Sequence, residues 1–174
     1  MAHFGDDSRN GNVMRSASSF LLHEKYDASM SSNDIALIKL FYPLKFTSKI
    51  SRVALMKRPP YKEMAHIAGW GTINERTNEQ AMALKHVAQK VWKHADCDKK
   101  FNGLPLGTIC ASSPKSSDYA ARGDSGSALV VRGYIQIGLV SYRVPELALN
   151  IIVYTDTGYF YDWINYNAKR LYCL

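Results

Sequence analysis

Gly123-Asp124-Ser125-Gly126-Ser127-Ala128-Leu129-Val130-Val131, then Arg132-Gly133, then Tyr134-Ile135-Gln136-Ile137-Gly138-Leu139-Val140, is the stretch that decides the fold class. Two apolar runs joined across Arg132-Gly133 have the signature of a β-hairpin. Upstream, Leu84-Lys85-His86-Val87-Ala88 alternates with the period of a half-buried strand, and His66-Ile67-Ala68 leads into Gly69-Trp70-Gly71-Thr72. Downstream, Ile151-Ile152-Val153-Tyr154 reads as a further strand. Nearer the N-terminus, Asn33-Asp34 is a turn signal, Ile35 to Leu40 reads as a buried strand bounded by Pro43, and Phe20-Leu21-Leu22 as another strand. Only the C-terminal end has helical spacing, in Phe160, Trp163, Ile164, Ala168 and Leu171. These readings predict an all-β chain, an antiparallel barrel closed by one C-terminal helix.

Composition supports a folded chain and removes several functions. The 174 residues are 47% hydrophobic and 21% charged, enough apolar content to bury a core. The net charge of +7 is spread along the chain, and Lys57-Arg58 is too small a group for a basic arm, so no nucleic-acid partner is expected. No apolar stretch is long enough to span a membrane, and Met1 to Asp7 does not form a signal peptide, so taken by itself the sequence reads as cytosolic. Three cysteines, Cys97, Cys110 and Cys173, lack the spacing of a zinc site, and His94 before Cys97 reads as a surface histidine near a structural cysteine. No metal or other cofactor is expected.

The chemistry concentrates at Gly123-Asp124-Ser125-Gly126. Glycines beside a serine let the backbone expose the hydroxyl and aim N–H donors at a developing oxyanion. Alone, the plainer reading of this tetrapeptide is a turn before a strand. Its surroundings change that. Asp34-Ile35-Ala36-Leu37, Gly69-Trp70-Gly71-Thr72, Thr108-Ile109-Cys110-Ala111, the Ser125 loop, Leu139-Val140-Ser141-Tyr142, Val153-Tyr154-Thr155 and Asp162-Trp163-Ile164 follow in one order. Together they resemble the chymotrypsin-like serine peptidase family, and Gly123 to Leu129 looks most like insect chymotrypsins.

The resemblance implies two antiparallel barrels. It assigns residues 1–56 to a remnant of the first barrel, 57–158 to the second, and 159–174 to the C-terminal helix and tail. It implies Ser125 as nucleophile, Asp34 as the carboxylate that orients the base, and the N–H groups of Gly123 and Ser125 as the oxyanion hole. Ser141 matches the residue that flanks the aspartate and pairs with substrate backbone. Cys97 and Cys110 match a family disulfide, leaving Cys173 as a free thiol. The tripeptide Arg122-Gly123-Asp124 needs no adhesive role, since the loop accounts for it.

Other positions depart from the family. Its catalytic histidine lies in an Ala-Ala-His-Cys block farther upstream of the aspartate than the 33 residues before Asp34 allow. His3 lacks that context, His23 is expected in an exposed loop, and His66, His86 and His94 belong to the second barrel. The expectation is a chain without its general base, inert by itself, and the larger part of a longer secreted protein that carries a signal peptide, an activation site and the histidine upstream. Ala121 stands where the family has a cysteine. Tyr119 stands where trypsins hold an aspartate, which disfavours cleavage after Lys or Arg and leaves an apolar or small side chain as the expected preference. Arg143 and Ile152 fall near glycine positions of the specificity pocket and would narrow it. The function implied is a serine-type endopeptidase acting extracellularly on protein or peptide substrates, with serine-protease inhibitors as possible partners and no membrane. The alternative is a non-catalytic homologue that binds or regulates a partner.

Overall fold

A computed structural model describes residues 1–8, 11–115, 118–148 and 150–173. In chain order the strands are β1 (Ala2–Phe4), β2 (Val13–Arg15), β3 (Ala17–Leu22), β4 (Ala36–Leu40), β5 (Ala54–Leu55), β6 (Met64–Gly69), β7 (Thr72–Asn74), β8 (Glu79–Gln80) and β9 (Lys85–Val91). Helix α1 (His94–Phe101) follows, then β10 (Thr108–Ser112), β11 (Ala128–Val131), β12 (Ile135–Arg143), β13 (Ile151–Asp156) and helix α2 (Tyr161–Cys173).

Six strands close on themselves in the order β11-β6-β9-β10-β13-β12 and back to β11, with β5 added in parallel on the free side of β12. Closure removes the exposed edges that an open sheet would leave. The interior follows the two-residue period of the strands: Ala65 and Ile67 from β6, Leu129 and Val131 from β11, and Ile137 and Tyr154 from β12 and β13 form one buried cluster. The expected hairpin forms across Arg132 and Gly133, both at positive φ (53° and 75°), the backbone that a tight two-residue connection requires.

The N-terminal part is built differently. Among the described residues, β1 pairs only with β2, and β3 only with β4. β4 forms where expected, but it is not a buried strand: Ile38 is 65% exposed, beside Phe20 at 71% on the paired position of β3. Among the described residues, one face of this two-stranded sheet has no second layer on it. The other packs Leu37 against Ile35, Phe160 and Ile164, so that α2 covers one side only.

Two expectations need correction. Helix α1 was not expected, because its eight residues carry mostly charge; its one buried side chain is Cys97, which the disulfide to Cys110 ties to β10 at a Cα–Cα distance of 6.1 Å. His23 is not exposed but buried, with its ring stacked on Trp163 at 4.8 Å and edge-on to Phe160 at 5.3 Å. The side chain of Cys173, the expected free thiol, lies outside the described residues.

Candidate active site

Ser125 sits in the turn that feeds β11, exposed at the barrel rim. The turn is fixed from both sides. Asp124 N–H donates to Ala121 O at 3.0 Å, Ser127 N–H to Asp124 O at 2.9 Å, and Gly126 N–H to Val140 O at 2.8 Å. Gly123 and Gly126 hold φ of 98° and 83°, which a side-chain-bearing residue would strain to adopt. Within this loop the N–H groups of Gly123 and Ser125 donate to no acceptor among the described residues, and neither does the Ser125 hydroxyl. An exposed hydroxyl beside two unengaged backbone donors can present a nucleophile and stabilise a negative oxygen.

The Asp124 carboxylate turns inward. It accepts from Gly71 N–H and from Ala121 N–H, each at 2.9 Å, and side chains at Gly69 or Gly71 would overlap it. The glycines of Gly69-Trp70-Gly71 are therefore explained by the room that this carboxylate needs. The same orientation withdraws Asp124 from any surface display of the Arg122-Gly123-Asp124 tripeptide.

Asp34 comes from the other region of the molecule and is held by the barrel. Its carboxylate accepts the Ser141 hydroxyl at 2.6 Å, and its carbonyl accepts the Thr155 hydroxyl at 2.7 Å. A cleft of about 490 Å³ lies between Asp34 and Ser125, walled by Leu22, Tyr26, Ile35 and Leu139. No histidine lines it. His23 accepts Lys25 N–H through Nδ1 at 3.1 Å, His3 is on β1, His66 and His86 pair on the exposed sides of β6 and β9, and His94 starts α1.

A second cleft of about 350 Å³ adjoins Ser125 and is lined by Ala120, Val140, Ser141, Arg143 and Ile152. Arg143 and Ile152 both line it. Tyr119 is not part of its wall; it lines a small cavity behind Asp124 and reaches the cleft through Arg143, whose guanidinium lies 4.7 Å from the centre of its ring. Glu75 pairs with the Arg143 Nη2 and was not anticipated, since a turn glutamate carries no signal of its own. Thr155 belongs to the strand block Val153-Tyr154-Thr155, and its bond to Asp34 gives that block a positioning task.

A family model described as Trypsin matches residues 3–164. Hypodermin-B of Hypoderma lineatum is 34% identical over 159 residues, covering 87% of this chain and 60% of that protein. Trypsin eta of Drosophila erecta is 33% identical over 170 residues, covering 92% of this chain and 64% of the other. The chain thus spans about three-fifths of the length of these relatives. Among solved structures, neuropsin, a serine protease expressed in the limbic system of mouse brain, superposes with a TM-score of 0.78 over 88% of this chain and 71% of that one, at 24% identity, a likeness of fold. With the closed barrel, the C-terminal helix and the matched segments in place, the chain belongs to the trypsin family of chymotrypsin-like serine proteases.

Proposed function

We propose that this chain carries the nucleophile side of a serine endopeptidase site that cleaves proteins or peptides through an acyl-enzyme, in an extracellular setting where serine-protease inhibitors would be its further partners. The observation that carries this reading is the pair of arrangements on either side of one cleft. Asp34 is fixed by Ser141 and Thr155, and Ser125 stands on a loop with two free N–H donors. In this reading Ser125 Oγ attacks the carbonyl carbon, the N–H groups of Gly123 and Ser125 receive the oxyanion, and Asp34 orients and stabilises the protonated base.

A serine hydroxyl needs a proton acceptor to attack at neutral pH. None of the five histidines of residues 1–174 lines the cleft between Asp34 and Ser125, so in this reading the base is supplied by another group and the chain by itself hydrolyses nothing. A second reading, a non-catalytic homologue that binds a partner, is favoured by Arg143 standing in the cleft beside Ser125.

Imidazole supplies the discriminating test. With a fluorophosphonate probe, residues 1–174 stay unlabelled in plain buffer, and high imidazole restores labelling that Ser125→Ala abolishes. Labelling without imidazole would show that a group within residues 1–174 serves as the base and would overturn this reading. No labelling at any imidazole concentration, with peptide binding retained, would select the binding homologue.

A further inference from the structure

Arg143 closes β12 with a side chain only 16% exposed, inside a cleft walled by Val140, Pro145 and Ile152 together with Ser141, Tyr142 and a second cation, Arg122. Two contacts pin its guanidinium. The face of Tyr119 lies beneath it at 4.7 Å, and Nη2 pairs with the Glu75 carboxylate. The remaining terminal nitrogen, Nη1, is buried and has no acceptor among the described residues. A guanidinium offers five N–H donors in a planar fork, and a buried donor without an acceptor destabilises the free protein until an acceptor arrives. Glu75, in the turn between β7 and β8, is 43% exposed, so it is a solvated partner that can move aside or share the cation.

We propose that the Ser125 cleft takes an acidic side chain, with Arg143 as the residue that selects it. The inference rests on the reading of that cleft as the substrate site and adds the chemical class of the side chain on the acyl side of the cut. Shape alone would leave an apolar or small group preferred, because Arg143 and Ile152 fill space. Charge decides further. A Lys or Arg side chain would meet a cation already in place. An apolar group would leave Nη1 unpaired and a neutral amide oxygen would accept from it more weakly, whereas Asp or Glu supplies a carboxylate to a fork held ready by an aromatic face. The aliphatic walls of Val140 and Ile152 strengthen that pairing by excluding water from one side. Glu75 acts as a competing internal carboxylate that keeps the cation paired while the cleft is empty.

Binding tests this without requiring turnover. Fluorescent pentapeptide amides that differ only in the last residue (Glu, Asp, Gln, Leu or Lys) are titrated by anisotropy against the full chain at low salt. The Glu and Asp peptides should bind about tenfold or more tighter than the Gln peptide, with Lys the weakest. Arg143→Gln should erase the Glu-over-Gln preference, Arg143→Lys should keep part of it, and Glu75→Gln should enlarge it. Circular dichroism confirms that each variant is folded, and Arg143→Lys preserves a readout should Arg143→Gln fail to fold. Measurable binding with equal affinity for the Glu and Gln peptides would overturn the acidic preference while leaving the substrate cleft standing. Binding of none of the peptides would overturn the cleft reading, and the preference with it.

Discussion

Leu129 and Ile38 are aliphatic residues on strands of similar texture, yet Leu129 is 0% exposed and Ile38 is 65% exposed. Leu129 lies in a sheet that closes on itself, so its inward face is covered from every side. Ile38 lies in a two-stranded sheet with α2 on one face and, among the described residues, no second layer on the other. Burial is thus set by how many neighbours the topology supplies, and the hydrophobicity of a strand only makes it eligible.

The largest test of that contrast is Leu129→Ala, which should lower unfolding free energy by about 3–4 kcal/mol in urea titration, since a closed barrel cannot collapse around the lost volume. A loss below about 1 kcal/mol would mean the barrel interior is as forgiving as the open sheet. Replacing Cys97 and Cys110 together by Ala should cost somewhat less, about 3 kcal/mol, as expected for releasing a cross-link between residues 13 apart. Peptide mapping of oxidised protein should return Cys97 joined to Cys110; a link from Cys173 to either would refute that pairing.

Ser141→Ala probes the bond that joins the two regions. Losing a hydroxyl donor to a carboxylate at 2.6 Å should cost about 1–2 kcal/mol. It should also speed proteolytic cutting in residues 1–40 more than in the barrel. Equal acceleration in both would show that the regions open as one unit. The smallest effect is expected at Ile38→Thr, within about 0.5 kcal/mol in either direction, together with weaker binding of an apolar dye that reports exposed hydrophobic surface. A loss comparable to that of Leu129→Ala would show that the face is covered in solution.

The barrel was legible because its strands obey local rules: alternation in β6, β9 and β12, and a two-residue connection at Arg132-Gly133. The single-sided cover of β4 was not, because Ile35 to Leu40 spells the same pattern whether one sheet or two will face it. Helix α1 has no such local signature, for a related reason. It has one buried residue, Cys97, so the amphipathic spacing that announces α2 is missing. At the site, Asp34 and Ser125 were readable from their surrounding blocks, and Arg143 from its place near the pocket. Glu75 and the stacking of Arg143 on Tyr119 were not, since they arise from residues 24 or more apart that meet only after the sheet has closed.

The bonds that fix Asp34 span 107 residues to Ser141 and 121 to Thr155. Loop-closure entropy grows with the length enclosed, and contacts this distant in sequence form late. Ser125, Ser141 and Thr155 are all carried by the barrel, so they come into place when it does. Asp34 should arrive afterwards, on a two-stranded sheet attached on one face through Ile35 and Leu37 to Phe160 and Ile164, and should depart first on warming. Amide exchange should therefore detect an opening of residues 17–40 at a free energy below that of global unfolding. Heat would then unlatch the carboxylate while the serine loop is still intact, giving the site a lower melting point than the fold that carries it.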